Sequence, residues 1–335
     1  MEKALLLAIS ARTLCPPNPA VGCIIVGADG SLVGAGHTQA VGGPHAEIMA
    51  LRDAQAQGRT AVGATAYVTL EPCAHHGRTG PCCEALVAAG IQKVVATIAD
   101  PNPLVAGQGF ARLRAAGVEV EVLHPADPLA IQSREVNIGF FSRMVRKTPW
   151  VRSKVAASLD GKTALDNGAS QWITSPEART DGHVWRARSG AILTGIGTIL
   201  QDNPRLDVRL VTTSRQPPVV IVDSTLQTPV DSAIFLEGRA VLIYTATEHD
   251  NPKRQGLEAR GATVICMPDA SSNGAATGKV DLRAMLLDLG RREINELHVE
   301  AGHRLNGSLI REGLMDELLV YLAPKLLGQG RDMAS

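Results

Sequence analysis

TAYVTLEPCAHHGRTGPCCEALVAAG, residues 65–90, holds a complete strand-to-helix passage and sets the reading of the first half of the chain. Thr65–Leu70 is rich in β-branched and aromatic residues and reads as a strand; Glu71-Pro72-Cys73 ends it, and residues 82–90 read as a short helix closed by Gly90. Working outward, KVVATIA (93–99) is a second strand, and GFARLRAAG (109–117) followed by VEVEVL repeats the helix-glycine-strand unit. Toward the N-terminus, HAEIMALRDAQA (45–56) has the apolar spacing of a helix. AVGCIIV (20–26) and SLVGAGH (31–37) flank an Ala-Asp-Gly turn as a hairpin, and residues 2–11 read as a further helix. Strands alternating with helices predict an α/β layered domain, residues 1–122.

Residues 123–148 carry Pro, Asp and the basic positions Arg143, Arg146 and Lys147, and are expected to link two domains. WVRSKVAASLDG (150–161) then opens a second α/β pattern over residues 149–335. Its further strands are expected at AILTG, PVVIVD, AVLIYT, ATVICM, ELHVEA and ELLVYLA. DASSNGAATGK (269–279) is expected to be a surface loop, and neither half shows an internal repeat.

Composition narrows the function classes. The 335 residues, 45% of them apolar, exceed one ordinary domain and rule out disorder. Lys+Arg 33 against Asp+Glu 33 leaves no polyanion-seeking field, which argues against a nucleic-acid or anionic-membrane binder and for a small-molecule partner. Ala4–Ile9 is too short for a signal segment, and no window reaches the ~18 apolar residues of a membrane span, so a soluble, cytoplasmic protein is expected. Of six cysteines, Cys73, Cys82 and Cys83 fall within eleven positions, a cluster that reads as metal-binding in a reducing compartment rather than as a disulfide framework.

The chemistry follows from His45-Ala46-Glu47 at the start of one helix and Cys73 and Cys82 at the ends of the elements already described. One imidazole and two thiolates leave the fourth tetrahedral position of a zinc ion open to water, the arrangement of a catalytic rather than a structural site. A helix N-terminus favours a thiolate at Cys82. Glu47, two residues beyond His45, is placed to take a proton from that water and deliver it to a leaving amino group. Cys83, His75 and His76 are alternative donors on residue type alone. Arg78 and Thr79 offer a phosphate contact or simply form an exposed polar loop, whereas Cys15 and Cys23 lack ligand-spaced partners and read as structural.

Zinc nucleobase deaminases share His-x-Glu followed by Pro-Cys-x-x-Cys. Here the two cysteines are separated by AHHGRTGP instead, and that longer loop resembles the pyrimidine deaminase branch of riboflavin biosynthesis. Pro17-Asn18-Pro19-Ala20-Val21-Gly22, Gly34-Ala35-Gly36-His37 and Asp100-Pro101-Asn102-Pro103 resemble the same family, so the likeness spans about the first 145 residues. It selects Cys82 over Cys83, and it implies substrate contacts at Asn18, His37, His76 and Arg78.

The second half resembles the reductase fused to that deaminase. The likeness lies in Lys154–Lys162, Ser170-Gln171-Trp172-Ile173-Thr174, Gly195-Ile196-Gly197-Thr198, Asp202-Asn203-Pro204, Leu206 and Arg209. Gly195-x-Gly197 has Leu200 where the dinucleotide fingerprint needs a third glycine. LHVEAGHRLNGSLI (297–310) is the better phosphate cradle, a strand running through a glycine turn into a helix. The resemblance as a whole implies a cytidine-deaminase-like three-layer domain followed by a dihydrofolate-reductase-like α/β domain, with zinc and NADPH as cofactors. NADPH contacts are implied at Ala156, Trp172, Thr198, Asp202, Ser224 and the turn Gly302, His303, Arg304, Leu305, Asn306, Gly307 and Ser308. Substrate contacts are implied at Ser170, Arg186, Leu206, Arg209 and Glu300. Two guanidiniums suit a sugar phosphate, though either alone also suits an ion pair, and Glu300 also suits a helix start. The expected reaction is deamination of a phosphoribosylamino diaminopyrimidine, then reduction of its ribosyl side chain, by a homo-oligomer, dimer or larger. A zinc deaminase of another base, RNA included, with a degenerate rear domain and a non-catalytic zinc-stabilised binding protein are the rival readings. The resembled domain continues beyond the equivalent of Ser335, so the C-terminal end reads as truncated, with an exposed sheet edge expected there.

Overall fold

A computed structural model of the chain describes every residue except 75–79, 104–105, 166–172, 249–251 and 271–275. It divides into two compact units, Met1–Arg146 and Lys147–Ser335.

The first unit runs α1 (Glu2–Ala11), β1 (Gly22–Val26), β2 (Leu32–His37), α2 (Ala46–Ala56), β3 (Thr65–Val68), α3 (Cys82–Ala88), β4 (Lys93–Ala96), α4 (Gln108–Ala115), β5 (Glu119–Val122), α5 (Pro128–Val136) and α6 (Ile138–Arg146). Its sheet has the order β2-β1-β3-β4-β5. The hairpin β1–β2 and the pair β1–β3 are antiparallel, and β3–β4–β5 are parallel. Alternation along β1 sends Cys23 and Ile25 into the core shared with α2, α3 and α4, while Gly22 meets α1 on the opposite face. Helices on both faces make the three layers. Gly34 and Gly36 let α2 lie directly on β2: a Cβ on Gly36 would sit 2.4 Å from the Ala50 nitrogen. Of residues 123–148, expected as a linking helix and boundary, those up to Arg146 belong to this unit and form two helices, α5 and α6. The buried Asn137 amide accepts from the Ala20 N–H at 2.7 Å and donates to the Ala20 carbonyl at 2.9 Å, which fixes the chain entering β1.

The second unit continues with β6 (Trp150–Ser158), β7 (Lys162–Leu165), α7 (Pro176–Arg188), β8 (Ala191–Gly195), α8 (Ile196–Asp202), β9 (Val219–Val222), β10 (Val241–Thr245), α9 (Pro252–Ala259), β11 (Ala262–Cys266), β12 (Pro268–Ala270), β13 (Ala276–Val280), α10 (Leu282–Arg291), β14 (Glu296–Val299), α11 (His303–Arg311), β15 (Glu317–Ala323) and β16 (Gly330–Asp332). Seven parallel strands form the sheet β11-β10-β9-β8-β14-β6-β15. Its central strands are near-continuous apolar runs because both faces are covered. Leu193 and Val220 pack with α10 and α11, and Ile192 and Ile221 with α8 and α9. The expected surface loop 269–279 instead ends in β-structure: β12 and β13 pair antiparallel, and the Thr277 hydroxyl donates to the Asp269 carboxylate at 3.0 Å.

Candidate functional site

Topology brings the first unit's candidate residues to one end of its sheet. Gly22 at the start of β1 pairs with His37 at the end of β2, and Cys23 pairs with Val68 at the end of β3, which in turn pairs with Ala96 at the end of β4. Asn18, His37, Cys73 and the Asp100 turn therefore all emerge from the same edge, where ligands bind in α/β sheets. The His37 Nδ1 lies 3.0 Å from the Thr38 carbonyl oxygen and 3.2 Å from the Gln39 side-chain nitrogen.

The N-termini of α2 and α3 close over this edge. His45 caps α2 with extended backbone, and Cys82 is the first residue of α3 behind Pro81. The His45 Nδ1 lies 3.6 Å from the Cys73 sulfur and 3.3 Å from the Cys82 sulfur, and the three donor atoms are all within 4.8 Å of one another. Tetrahedral zinc with ordinary Zn–S and Zn–N bonds puts such donors about 3.5–3.8 Å apart, close to the two separations from His45. Cys83 points into the core with Leu86 and donates its backbone N–H to the Cys73 carbonyl at 3.2 Å. The Cys82 backbone N–H reaches the Cys73 sulfur at 3.3 Å. Hydrogen bonding from the Cys82 thiol, then His45, holds Cys73 down at about 4, whereas the Cys73 sulfur, burial and Glu47 push Cys82 up. Both sulfurs must be deprotonated to hold a divalent cation, and binding one releases their protons. Glu47, 3% exposed, is raised to about 7 by burial and by Cys73, with His45 opposing. Among the described residues this is the one cluster of metal-ligating type. An open groove of about 640 Å³ is lined by Pro44, Ile48, Arg52, Pro81 and Glu84; none of His45, Cys73, Cys82 and Glu47 lines it. His76 and Arg78 lie outside the described residues.

In the second unit β8 and β14 are parallel neighbours, so their carboxyl ends place Gly195–Thr198 and Gly302–Leu305 side by side; a Cβ on Gly195 would lie 3.6 Å from the Leu305 side chain. Gly302 caps α11 without a side-chain partner, and a Cβ there would meet nothing within 4 Å. Open backbone N–H groups at a helix start fit an anionic phosphate of a dinucleotide. Ala156 on β6, Thr198 and Asp202 on α8, and Ser224 after β9 belong to the same carboxyl side. Two residues of the turn have other work. The Asn306 amide accepts from the Ser153 hydroxyl at 3.1 Å and donates to the Ala301 and Met333 carbonyls, and Gly307 lies against the Ser335 backbone.

Arg186, Leu206, Arg209 and Glu300 also come together. Arg186 Nε and Nη2 grip both oxygens of Glu300, the latter at 2.8 Å, and Nη1 donates to the Asp207 carbonyl at 2.9 Å. Glu300 is held well below the usual carboxylate range: Arg186 outweighs its burial, with His298 adding to the effect. Arg209 is half exposed and paired with Asp207, which also takes Arg205 Nε at 2.9 Å. Leu206 stands at φ 48°, and the buried Arg239 donates to its carbonyl at 3.0 Å. Arg239 and His183, whose Nδ1 accepts the Arg209 N–H at 3.1 Å, were invisible to motif reading because their partners are remote in sequence. Ser170 and Trp172 lie outside the described residues.

Comparison with known proteins agrees with this geometry. Residues 1–98 match the cytidine and deoxycytidylate deaminase zinc-binding region, and residues 149–335 match the RibD C-terminal domain. The riboflavin biosynthesis protein RibD of Escherichia coli is 44% identical over 339 residues, covering 98% of this chain and 88% of that protein. The Aquifex aeolicus RibD is 39% identical over 330 residues, covering 98% and 87%. The solved structure of Acinetobacter baumannii RibD superposes with a TM-score of 0.86 at 40% identity, covering 100% of this chain and 88% of that one. A Thermotoga maritima structure described as a diaminohydroxyphosphoribosylaminopyrimidine deaminase/5-amino-6-(5-phosphoribosylamino)uracil reductase gives 0.85 at 32% identity, covering 99% and 88%. Fold and site together define a bifunctional enzyme, a zinc-dependent deaminase of the cytidine deaminase type joined to an α/β reductase that uses NADPH. It functions in riboflavin biosynthesis. The chain belongs to the RibD family.

Proposed function

We propose that the first unit deaminates 2,5-diamino-6-(5-phosphoribosylamino)pyrimidin-4(3H)-one and that the second then reduces the ribosyl side chain to give 5-amino-6-(5-phosphoribitylamino)uracil. The observation that carries this reading is the gathering of His45, Cys73 and Cys82 within bonding range of one ion, with buried Glu47 beside them. His45 through Nδ1 and the two cysteines through sulfur hold the zinc. Zinc supplies Lewis acidity that brings the ionisation of a water near neutrality. A Glu47 carboxylate oxygen accepts the proton of the attacking water and passes it to the departing amino group, a task suited to a group that titrates at about 7. Asn18 offers donor and acceptor to the pyrimidine edge, and His37, His76 and Arg78 complete the substrate contacts.

In the second unit the Gly302–Ser308 turn, Ala156, Trp172, Thr198, Asp202 and Ser224 hold NADPH, which supplies the hydride. Arg209 turns its exposed guanidinium to the substrate phosphate. Ser170 and Leu206 line the site, and Arg186, fixed by Glu300, orders its charged wall. The neutral charge balance favours a small molecule over RNA, and no helix among the described residues is long and apolar enough to cross a membrane. A cytoplasmic homo-oligomer, dimer or larger, completes the proposal. The test is Glu47→Gln, which keeps shape and loses the proton acceptor. Zinc retained with ammonia release down by about 10²-fold or more supports it, and full turnover removes Glu47 from the chemistry.

A further inference from the structure

Glu71 is buried, 3% exposed, and among the described residues its carboxylate pairs with no cation. Instead it accepts four backbone N–H groups. Oε1 takes Gly109 at 2.9 Å and Phe110 at 3.3 Å, and Oε2 takes Gly107 at 2.9 Å and Asp100 at 3.2 Å. Those donors are the first turn of α4 and the loop leading to it. The residue thus ties the segment 100–110 to the end of β3, one residue before Pro72 and two before the ligand Cys73.

The contact is tight from the other side as well. A Cβ on Gly109 would lie 1.9 Å from the Pro72 carbonyl oxygen and 3.2 Å from Glu71 Oε1. Only glycine lets the start of α4 press against the Pro72 backbone while donating to the carboxylate. The Cys73 carbonyl beyond it accepts the Cys83 N–H, so the ligand's backbone is gripped on both sides.

We infer that Glu71 is a positioning residue for the metal centre, clamping Pro72-Cys73 against α4 so that the Cys73 sulfur stands in ligand position before the ion arrives. Partners one shell out from metal ligands commonly govern affinity by about 10–100-fold. The inference rests on the assignment of His45, Cys73 and Cys82 as zinc ligands, and the test separates the two.

The experiment is chelator competition for zinc at 25 °C on the purified full-length chain, comparing wild type with Glu71→Gln, Gly109→Ala and Cys73→Ser, each checked for folding by circular dichroism and by the reductase activity of the other unit. Glu71→Gln loses the charge and one acceptor at unchanged size; Gly109→Ala keeps the charge but forces the Pro72 carbonyl away and crowds Glu71 Oε1. Folded Glu71→Gln and Gly109→Ala are expected to hold zinc about 10–100-fold more weakly. A staple that serves stability alone would lower the melting temperature and leave the competition curve in place, and that result overturns the inference. If Glu71→Gln does not fold, Gly109→Ala decides in the same way. Cys73→Ser holding zinc as wild type does overturns the ligand assignment itself, and the clamp with it.

Discussion

At the scale of single residues, the choice between adjacent thiols is the sharpest consequence of the geometry. Cys82 stands with His45 and Cys73, whereas Cys83 packs beside Leu86 in the core. Cys82→Ser should therefore lose bound zinc on elemental analysis and Cys83→Ser should keep it; the reverse would move the third ligand by one residue. His183 makes a pH prediction for the second unit. Its imidazole is pushed down to about 4 by burial and by the Arg186 and Arg209 guanidiniums, so the folded protein keeps it neutral while the unfolded chain takes up a proton below about 6.5. The stability it contributes is complete above pH 6.5 and is lost as pH falls toward 4. The melting temperature of the second unit should drop across that window. Asn at this position can accept the Arg209 N–H without titrating, so His183→Asn should flatten the drop, and an unchanged slope would assign it to other groups.

At the scale of elements, much of the fold was legible because each local signal agreed with its surroundings. The alternation in β1 and β2, the glycine stops after α3 and α4, and the apolar runs of β8, β9 and β10 read directly from sequence. The cluster of His45, Cys73 and Cys82 was legible too, since helix starts and strand ends are local features. What was not legible depends on distant partners. β16 pairs with β7 across more than 160 residues, and Arg239 acquires its role only when the Leu206 strap folds over it. Asn137 lay in a segment read as a connection, yet it holds Ala20 through two buried hydrogen bonds. Asn137→Ala should cost about 2 kcal/mol in denaturant titrations of the first unit, because the Ala20 N–H is left buried and unpaired; a loss below ~0.5 kcal/mol would make that anchor dispensable. Gly36→Ala drives a methyl into the α2 backbone and should cost about 3 kcal/mol. The same substitution shifts the helix that begins at His45 and carries Glu47, so deamination should fall further than the folded fraction does.

At the scale of the molecule, the division into two compact units, one with the candidate metal cluster and the other with the candidate dinucleotide turn, gives the account its simplest test. Stripping zinc with a chelator should stop the first step and leave the second intact when the deaminated pyrimidine is supplied. The most direct measurement follows ammonia and nicotinamide absorbance separately while the zinc-loaded protein is incubated with the diaminopyrimidine phosphate, with and without NADPH. Ammonia should appear in both reactions, and NADPH should be consumed only after ammonia has been released. No ammonia from zinc-replete protein, or NADPH oxidised ahead of it, would contradict the account.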